Sequence, residues 1–306
     1  MSAPILKAPI FKKVAILGVG LMGGSLAAGL KKVGAVECIT GWGRNPDNLK
    51  VAKEKHIIDS WSLKLDEVLD GCDCVVVATP SQFSEQLLID VVKACGSSVA
   101  ITDVASVKGN LVRVLENEFG NLPNNVVLGH PIVGSEKSGV NACDDSLYVG
   151  HNVILVDVDG TQPALLSAVF DMWELVGAKV STMKAEQHDA VLALTSHLPH
   201  MLSYTLVSQI ADNPEEGNIF EYAAGGFKDF TRIAGSDPVM WAEICLANAE
   251  KITESIDVYA AHLDKVKTAI LNNDRETLLS LFENAKQHRD KFSRVYQARL
   301  DKQTIR

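Results

Sequence analysis

The first part of the chain alternates short apolar runs with amphipathic segments. The runs are Val14–Leu17, Cys38–Thr40, Val75–Ala78, Val99–Thr102, Val126–Leu128, Val153–Val156 and a weaker Lys179–Ser181. Several are unbroken Val, Ile, Leu and Ala, the pattern of a strand covered on both faces. Helical spacing marks the intervals, as in Gly24–Val33, Pro46–Glu54, Gln82–Ala94 and Lys108–Glu118. Strand–helix–strand alternation predicts an α/β fold with a doubly wound, mostly parallel sheet. After Met183 the pattern turns helical: Ala185–Ala211, Gly217–Ala224, Pro238–Leu271 and Arg275–Arg299, broken at Asp212–Glu216, Gly235–Pro238 and Asn272–Asp274. Two domains are expected, 1–183 with the sheet and an all-helical 184–306. Helices of this length bury a face against a neighbour, and a second copy of the chain is the expected partner.

Composition adds exclusions. The 306 residues are 47% hydrophobic and 22% charged, which suits a globular chain with a sizeable core. No apolar run reaches the roughly 18 residues a membrane span needs. The first residues lack the apolar core of a signal peptide, so a cytoplasmic protein is expected. The net charge of −9 argues against nucleic-acid binding. An anionic substrate would need cations concentrated in its site. None of the six cysteines forms a C-x-x-C pair. Cys72 and Cys74 read as packing residues at the start of a strand.

Val14-Ala-Ile-Leu-Gly18-Val-Gly20-Leu21-Met22-Gly23-Gly24 fits a strand, G-x-G-x-x-G and a helix, the Rossmann-type dinucleotide loop. Gly18 makes the tight turn, Gly20 lets the backbone approach a pyrophosphate, and Gly23 lets helix and strand pack closely. Leu21 and Met22 open the helix, whose free N–H groups attract an anion. An acidic residue that binds the ribose 2′-hydroxyl of NAD is expected roughly 20 positions on. Gly43 stands there instead, followed by Arg44. A missing carboxylate and an available guanidinium favour NADP, with NAD possible.

Further polar residues follow predicted strands, where ligands of doubly wound sheets bind. They are Thr79-Pro80, Thr102-Asp103-Val-Ala-Ser106-Val-Lys108, and Gly129-His130-Pro-Ile-Val-Gly-Ser-Glu136-Lys-Ser-Gly139. Farther on come Ser196-His197-Leu-Pro-His200 and Gly225-Gly-Phe-Lys228-Asp229-Phe-Thr-Arg232. Together with the glycine loop these motifs, in this order from Lys13 to Trp241, resemble the prephenate/arogenate (cyclohexadienyl) dehydrogenase family of tyrosine biosynthesis, in its monofunctional form. The resemblance implies oxidative decarboxylation of prephenate to 4-hydroxyphenylpyruvate, or of arogenate to tyrosine, with hydride transfer to NAD(P). It implies that His130 accepts the proton of the ring hydroxyl and that Ser106 orients that imidazole or bonds the same hydroxyl. A neutral imidazole suits the first task on chemical grounds. Arg232 would hold the ring carboxylate, for which a guanidinium fork is suited.

The same resemblance points to His200 and, less directly, His197 for the substrate side chain. Core packing is the competing reading for both, and a zinc pair lacks a third ligand. Glu136 would join a gating network or simply stabilise its loop. Gly225, Lys228 and Asp229 would line the substrate site or hold the glycine turn, and Trp241 would border the pocket or fill a helix core. Thr79, Pro80 and Asp103 are expected at the coenzyme. His56, His151, His188, His262 and His288 carry no motif and read as structural or surface residues. Two competing functions are a β-hydroxyacid dehydrogenase, which typically relies on a lysine in the helical domain, and a non-catalytic nicotinamide sensor.

Overall fold

The computed structural model describes residues 8–133, 137–213 and 216–304. It contains two compact units, one ending at Ala249 and the other starting at Glu250. The first holds eight strands: β1 (Phe11–Leu17), β2 (Val36–Trp42), β3 (Ser60–Ser62), β4 (Cys74–Val77), β5 (Ala100–Asp103), β6 (Val126–Ile132), β7 (Asn152–Val156) and β8 (Lys179–Met183). Its helices are α1 (Leu21–Lys32), α2 (Pro46–Glu54), α3 (Leu65–Leu69), α4 (Ser81–Ala94), α5 (Gly109–Phe119), α6 (Pro163–Leu175), α7 (Ala185–Leu192), α8 (Leu198–Ala211), α9 (Glu216–Glu221), α10 (Gly225–Thr231) and α11 (Pro238–Ala247).

The strands form one sheet in the order β3-β2-β1-β4-β5-β6-β7-β8. All neighbours are parallel except β6 and β7. The chain order reverses between β1 and β4, which places the ligand crevice of a doubly wound sheet beside the carboxyl end of β1. Leu17 pairs with Trp42 on one side and Val77 on the other, so three strand ends lie level there. Val14, Ile16, Val75 and Val76 have no solvent exposure, because helices cover both faces of the sheet. The antiparallel return of β7 keeps the long connection after His130 at this same edge of the sheet.

The element type changes between Met183 and Ala185, at the expected domain border, but compactness divides the chain later. Helices α7 and α11 pack on α5 and α4, and belong with the sheet. Strand β3 has no apolar run and was not predicted; it is a three-residue edge strand carried by β2. The single helix expected over 185–211 is interrupted by a π-turn at Ala193–His197. Pro199 lacks an N–H and its ring crowds the carbonyl one turn back, and a widened turn relieves both. The helix expected over 238–271 is divided at Asn248. The segment read as a glycine turn at Gly225 is helix α10.

The second unit holds α12 (Ala249–Leu271) and α13 (Arg275–Thr304). Asn273 takes a left-handed φ of 53° between them, and Asp274 caps α13 by accepting from the Thr277 N–H. Ile256, Leu263, Ile270, Leu279, Phe282 and Phe292 are exposed along the pair.

Candidate active site

The nucleotide loop follows β1. Gly18 adopts φ +105°, and a Cβ there would lie 2.4 Å from the Ala78 carbonyl oxygen, so no other residue fits this turn. A Cβ on Gly20 would meet nothing within 4 Å. That open face, together with the unpartnered first N–H groups of α1, is what a pyrophosphate requires. Three carbonyls of the loop are held from behind: Asn48 Nδ2 donates to Val19 O at 2.7 Å, Cys143 Sγ to Gly20 O at 3.3 Å, and Tyr148 Oη to Met22 O at 2.7 Å. With the carbonyls turned inward, the N–H groups face outward. Cys143 and Tyr148 come from the β6–β7 connection, and neither was visible in the sequence pattern. Thr79 and Pro80 close the adjoining side at the start of α4, where the Ser84 hydroxyl donates to Thr79 O. The residues present therefore fit a dinucleotide.

At the end of β2, Gly43 and Arg44 stand as the sequence has them. The Arg44 guanidinium lies 4.0 Å over the Phe83 ring, a cation–π contact that pre-sets its position. A Cβ on Gly43 would meet only Leu49, at 3.7 Å or more.

Asp103 departs from the expected coenzyme role. Its carboxylate is fully buried and saturated: Oδ2 accepts from Lys108 Nζ at 2.5 Å and from Ala105 N at 2.9 Å, and Oδ1 accepts from Gly129 N at 3.0 Å. Lys108, also fully buried, donates a second bond to Gly129 O at 2.7 Å. The Asp103 side chain has no exposed surface to offer a coenzyme; it joins the end of β5 to the backbone just before His130. Burial lowers the Lys108 pKa, and the attached Asp103 opposes that shift.

His130 sits near the end of β6 and is 8% exposed. Its Nδ1 lies 2.8 Å from His188 Nε2, and His188 Nδ1 lies 2.8 Å from Asp189 Oδ1. Asp189 also accepts from the Lys108 N–H at 3.0 Å and the Gly109 N–H at 2.7 Å, at the start of α5. His188 has no solvent exposure. Reading it as a structural or surface histidine missed this contact. The available signal was its helix position: His188 and Asp189 occupy the third and fourth places between the buried Ala185 and Leu192, on the inward stripe of α7. Burial, and then His188, Lys108 and His197, hold the His130 pKa well below the ordinary histidine value. Burial raises the Asp189 pKa, but the bonds from His188, Lys108 and Gly109 outweigh it and leave the pKa lowered.

His197, His200 and Trp241 form the next layer. Asn248 Nδ2 donates to Asp189 O at 2.9 Å, which fixes the amide orientation, and therefore also donates to His197 Nδ1 at 3.1 Å. His197 is thus held with its proton on Nε2, and its pKa is pushed down to about 4, chiefly by burial. His200 stacks on Trp241 with ring centroids 3.6 Å apart. Its Nδ1 must donate to Ser196 O, since a carbonyl only accepts. Burial, and after it the charge of Arg232, lower the His200 pKa. Trp241 packs with Val107 and Ile244, and its Nε1 has no partner among the described residues; Ser106, next to Val107 in the chain, is half-buried.

Arg232 begins a short 3-10 turn, Arg232–Gly235, and is exposed near His200. Gly225, Lys228 and Asp229 are exposed on α10, where the two glycines have open space around them. Glu136 lies outside the described residues. An open groove of about 1000 Å³ beside Leu21, Lys55 and Lys137 adjoins the nucleotide loop but includes none of the histidines.

Comparison with known proteins bears on this arrangement. Residues 26–182 match the family model described as prephenate dehydrogenase, nucleotide-binding domain, and residues 184–284 match prephenate dehydrogenase, dimerization domain. The chain is 31% identical to cyclohexadienyl dehydrogenase of Zymomonas mobilis, over 92% of this chain and 96% of that one. Prephenate dehydrogenase from A. aeolicus, solved with hydroxyphenyl propionate and NAD+, superposes with a TM-score of 0.85 at 37% identity, covering 92% of this chain and 98% of that one. Synechocystis arogenate dehydrogenase gives a TM-score of 0.79 at 26% identity, covering 92% and 99%. A likeness to 3-hydroxyisobutyrate dehydrogenase from Salmonella typhimurium, at 14% identity and a TM-score of 0.53, shows a shared fold alone. Sheet, glycine loop, histidine cluster and relatives agree, and the chain belongs to the prephenate dehydrogenase family, the dehydrogenases of tyrosine biosynthesis.

Proposed function

We propose that the chain catalyses the oxidative decarboxylation of prephenate, arogenate or both, with NADP as the favoured coenzyme. The observation that carries this reading is His130: one ring nitrogen is engaged by His188, and the other has no partner among the described residues. A nicotinamide held at the glycine loop by the N–H groups of α1 would supply the acceptor for the hydride of the ring carbinol carbon. The free nitrogen of His130 takes the hydroxyl proton as the carbonyl character develops. The bond to the ring carboxylate breaks, CO₂ leaves, and the released electron pair completes the aromatic ring as a phenolate, which takes its proton back from His130. Burial suppresses protonation of His130 and so keeps it available as a base at neutral pH. Ser106, on the loop after β5, bonds the same hydroxyl or orients the ring.

Arg232 clamps the ring carboxylate until it leaves. His200, with Nδ1 committed to Ser196, offers Nε2 to the substrate side chain, and Trp241 forms the wall behind it. Lys228, Asp229 and Gly225 border this end of the site. Arg44 on Phe83 favours NADP, because a 2′-phosphate meets a guanidinium and no carboxylate. Six unpaired cysteines suit a reducing cytoplasm. The exposed apolar side chains of α12 and α13, within and beyond the matched dimerization domain, suit a homodimer.

An assay of both substrates against both coenzymes tests this reading. Turnover of prephenate or arogenate, faster with NADP, is expected; no turnover in any combination refutes it. Gly43→Asp should shift the NADP/NAD ratio of kcat/KM toward NAD by at least tenfold. An unchanged ratio would clear Arg44 of coenzyme selection.

A further inference from the structure

We propose that Asp189 and His188 are positioning residues that fix His130 in its Nδ1–H tautomer and carry the proton it receives onward to His188. The proposal rests on the reading of His130 as the base and adds how that base is set and emptied.

The argument starts at Asp189. Its carboxylate accepts from three donors, Lys108 N, Gly109 N and His188 Nδ1, so it is the ionised acceptor of the group. The nitrogen of His188 that faces it must therefore carry a proton, because a bare nitrogen at 2.8 Å would set two acceptors against each other. A neutral His188 then has a bare Nε2. That nitrogen lies 2.8 Å from His130 Nδ1, which must in turn be the donor. Two neutral imidazoles in series on one carboxylate leave one outcome, with His130 Nε2 bare and able to accept. No property of His130 alone selects this tautomer.

The same chain gives the proton somewhere to go. The substrate O–H bond breaks as Nε2–H forms. The His130 Nδ1–H bond breaks as His188 Nε2–H forms. No group in the relay is oxidised or reduced, and the positive charge ends on His188, in contact with the Asp189 carboxylate. The charged and titratable groups facing the pair are Asp189 on α7, Lys108 at the start of α5 and His197 from the π-turn. Lys108 is neutralised by Asp103 but still disfavours a cation on His130, so a cation is better held one ring farther back. The site resets when the Nδ1 proton returns from His188 and His130 Nε2 gives its proton back to the phenolate oxygen formed on decarboxylation. Gly109 permits the arrangement: a Cβ there would lie 2.7 Å from Asp189 Oδ2.

The test combines Asp189→Asn and Asp189→Ala with the imidazole nitrogen spectrum of histidine-labelled protein, in which His130→Asn assigns the ring. In the wild type, His130 should appear as the Nδ1–H tautomer. Asparagine presents an amide N–H to His188 Nδ1, which inverts both rings and leaves a proton on His130 Nε2. This variant should show the inverted tautomer and lose about 10²–10⁴-fold in kcat with little change in KM, as inverted tautomers do elsewhere. Alanine removes the bias without inverting it and should be no worse than asparagine. A merely structural Asp189 predicts the opposite order, since asparagine keeps the shape. An Nε2–H His130 in the wild type, an Asp189→Asn enzyme within threefold of wild-type kcat, or an alanine variant that folds and is clearly slower than asparagine would each overturn the proposal. A wild-type protein that turns over neither substrate would refute the function, while the spectrum would still decide the tautomer.

Discussion

The two ends of the site are built on different principles. Around His130, five side chains from β5, β6, α7 and the residue before α5 are almost wholly buried, and the carboxylates of Asp103 and Asp189 are saturated with donors. Around Arg232, the cations lie exposed on one short helix and one 3-10 turn. The base end is finished before any substrate arrives. The anchor end is open, and on the proposed reading the substrate's carboxylate completes it. A proton acceptor must be in the correct tautomer and aimed in advance. A carboxylate clamp needs only charge and a fork.

Mutations should separate the two ends by the size and kind of their effects. His130→Asn should lower kcat by about 10²–10⁴-fold, the usual contribution of a general base, with the fold retained; a near wild-type kcat would remove it from the chemistry. Asp103→Asn leaves Lys108 buried without its counter-charge and should cost about 3–5 kcal/mol of stability, read by denaturant unfolding; a loss below 1 kcal/mol would show that Lys108 simply deprotonates.

His197 links stability to pH. Its native pKa of about 4 lies below the unfolded value near 6.5. The stabilisation is present above pH 6.5 and is lost as pH falls toward 4, by roughly 3 kcal/mol. His197→Gln should flatten that slope; an unchanged slope would assign it to other groups. At the open end, Arg232→Ala should raise KM roughly 10- to 100-fold, the value of a charge-assisted bond, while Lys228→Ala changes it by less than about threefold. Equal effects would mean that both cations hold the substrate.

Much of this was legible beforehand. The strands β1, β4 and β7 stand out because burial on both faces demands unbroken apolar runs, and the glycine loop because the turn at Gly18 tolerates no side chain. His130 and Arg232 stood in motifs that made them candidates, and the structure places His130 in a buried cluster and Arg232 on an exposed turn. What stayed hidden depends on contacts between distant parts of the chain. His188 meets His130 across 58 positions, and Asp189 meets Lys108 across 81. The burial of Asp103 was not legible, because a carboxylate at a strand end looks the same whether it faces a ligand or a buried lysine five residues on. Strand β3 is too short for periodicity to register. The break at Asn248 depends on what its amide touches, which no local pattern encodes.

The antiparallel return of β7 has a consequence for how such an enzyme diversifies. One continuous stretch, from the start of β6 to the end of β7, supplies both His130 and the Cys143 and Tyr148 groups that brace the glycine loop. Exchanging residues 126–156 between relatives would therefore transplant the proposed proton acceptor and the rear support of the glycine loop as a single cassette, with their mutual alignment inherited rather than rebuilt.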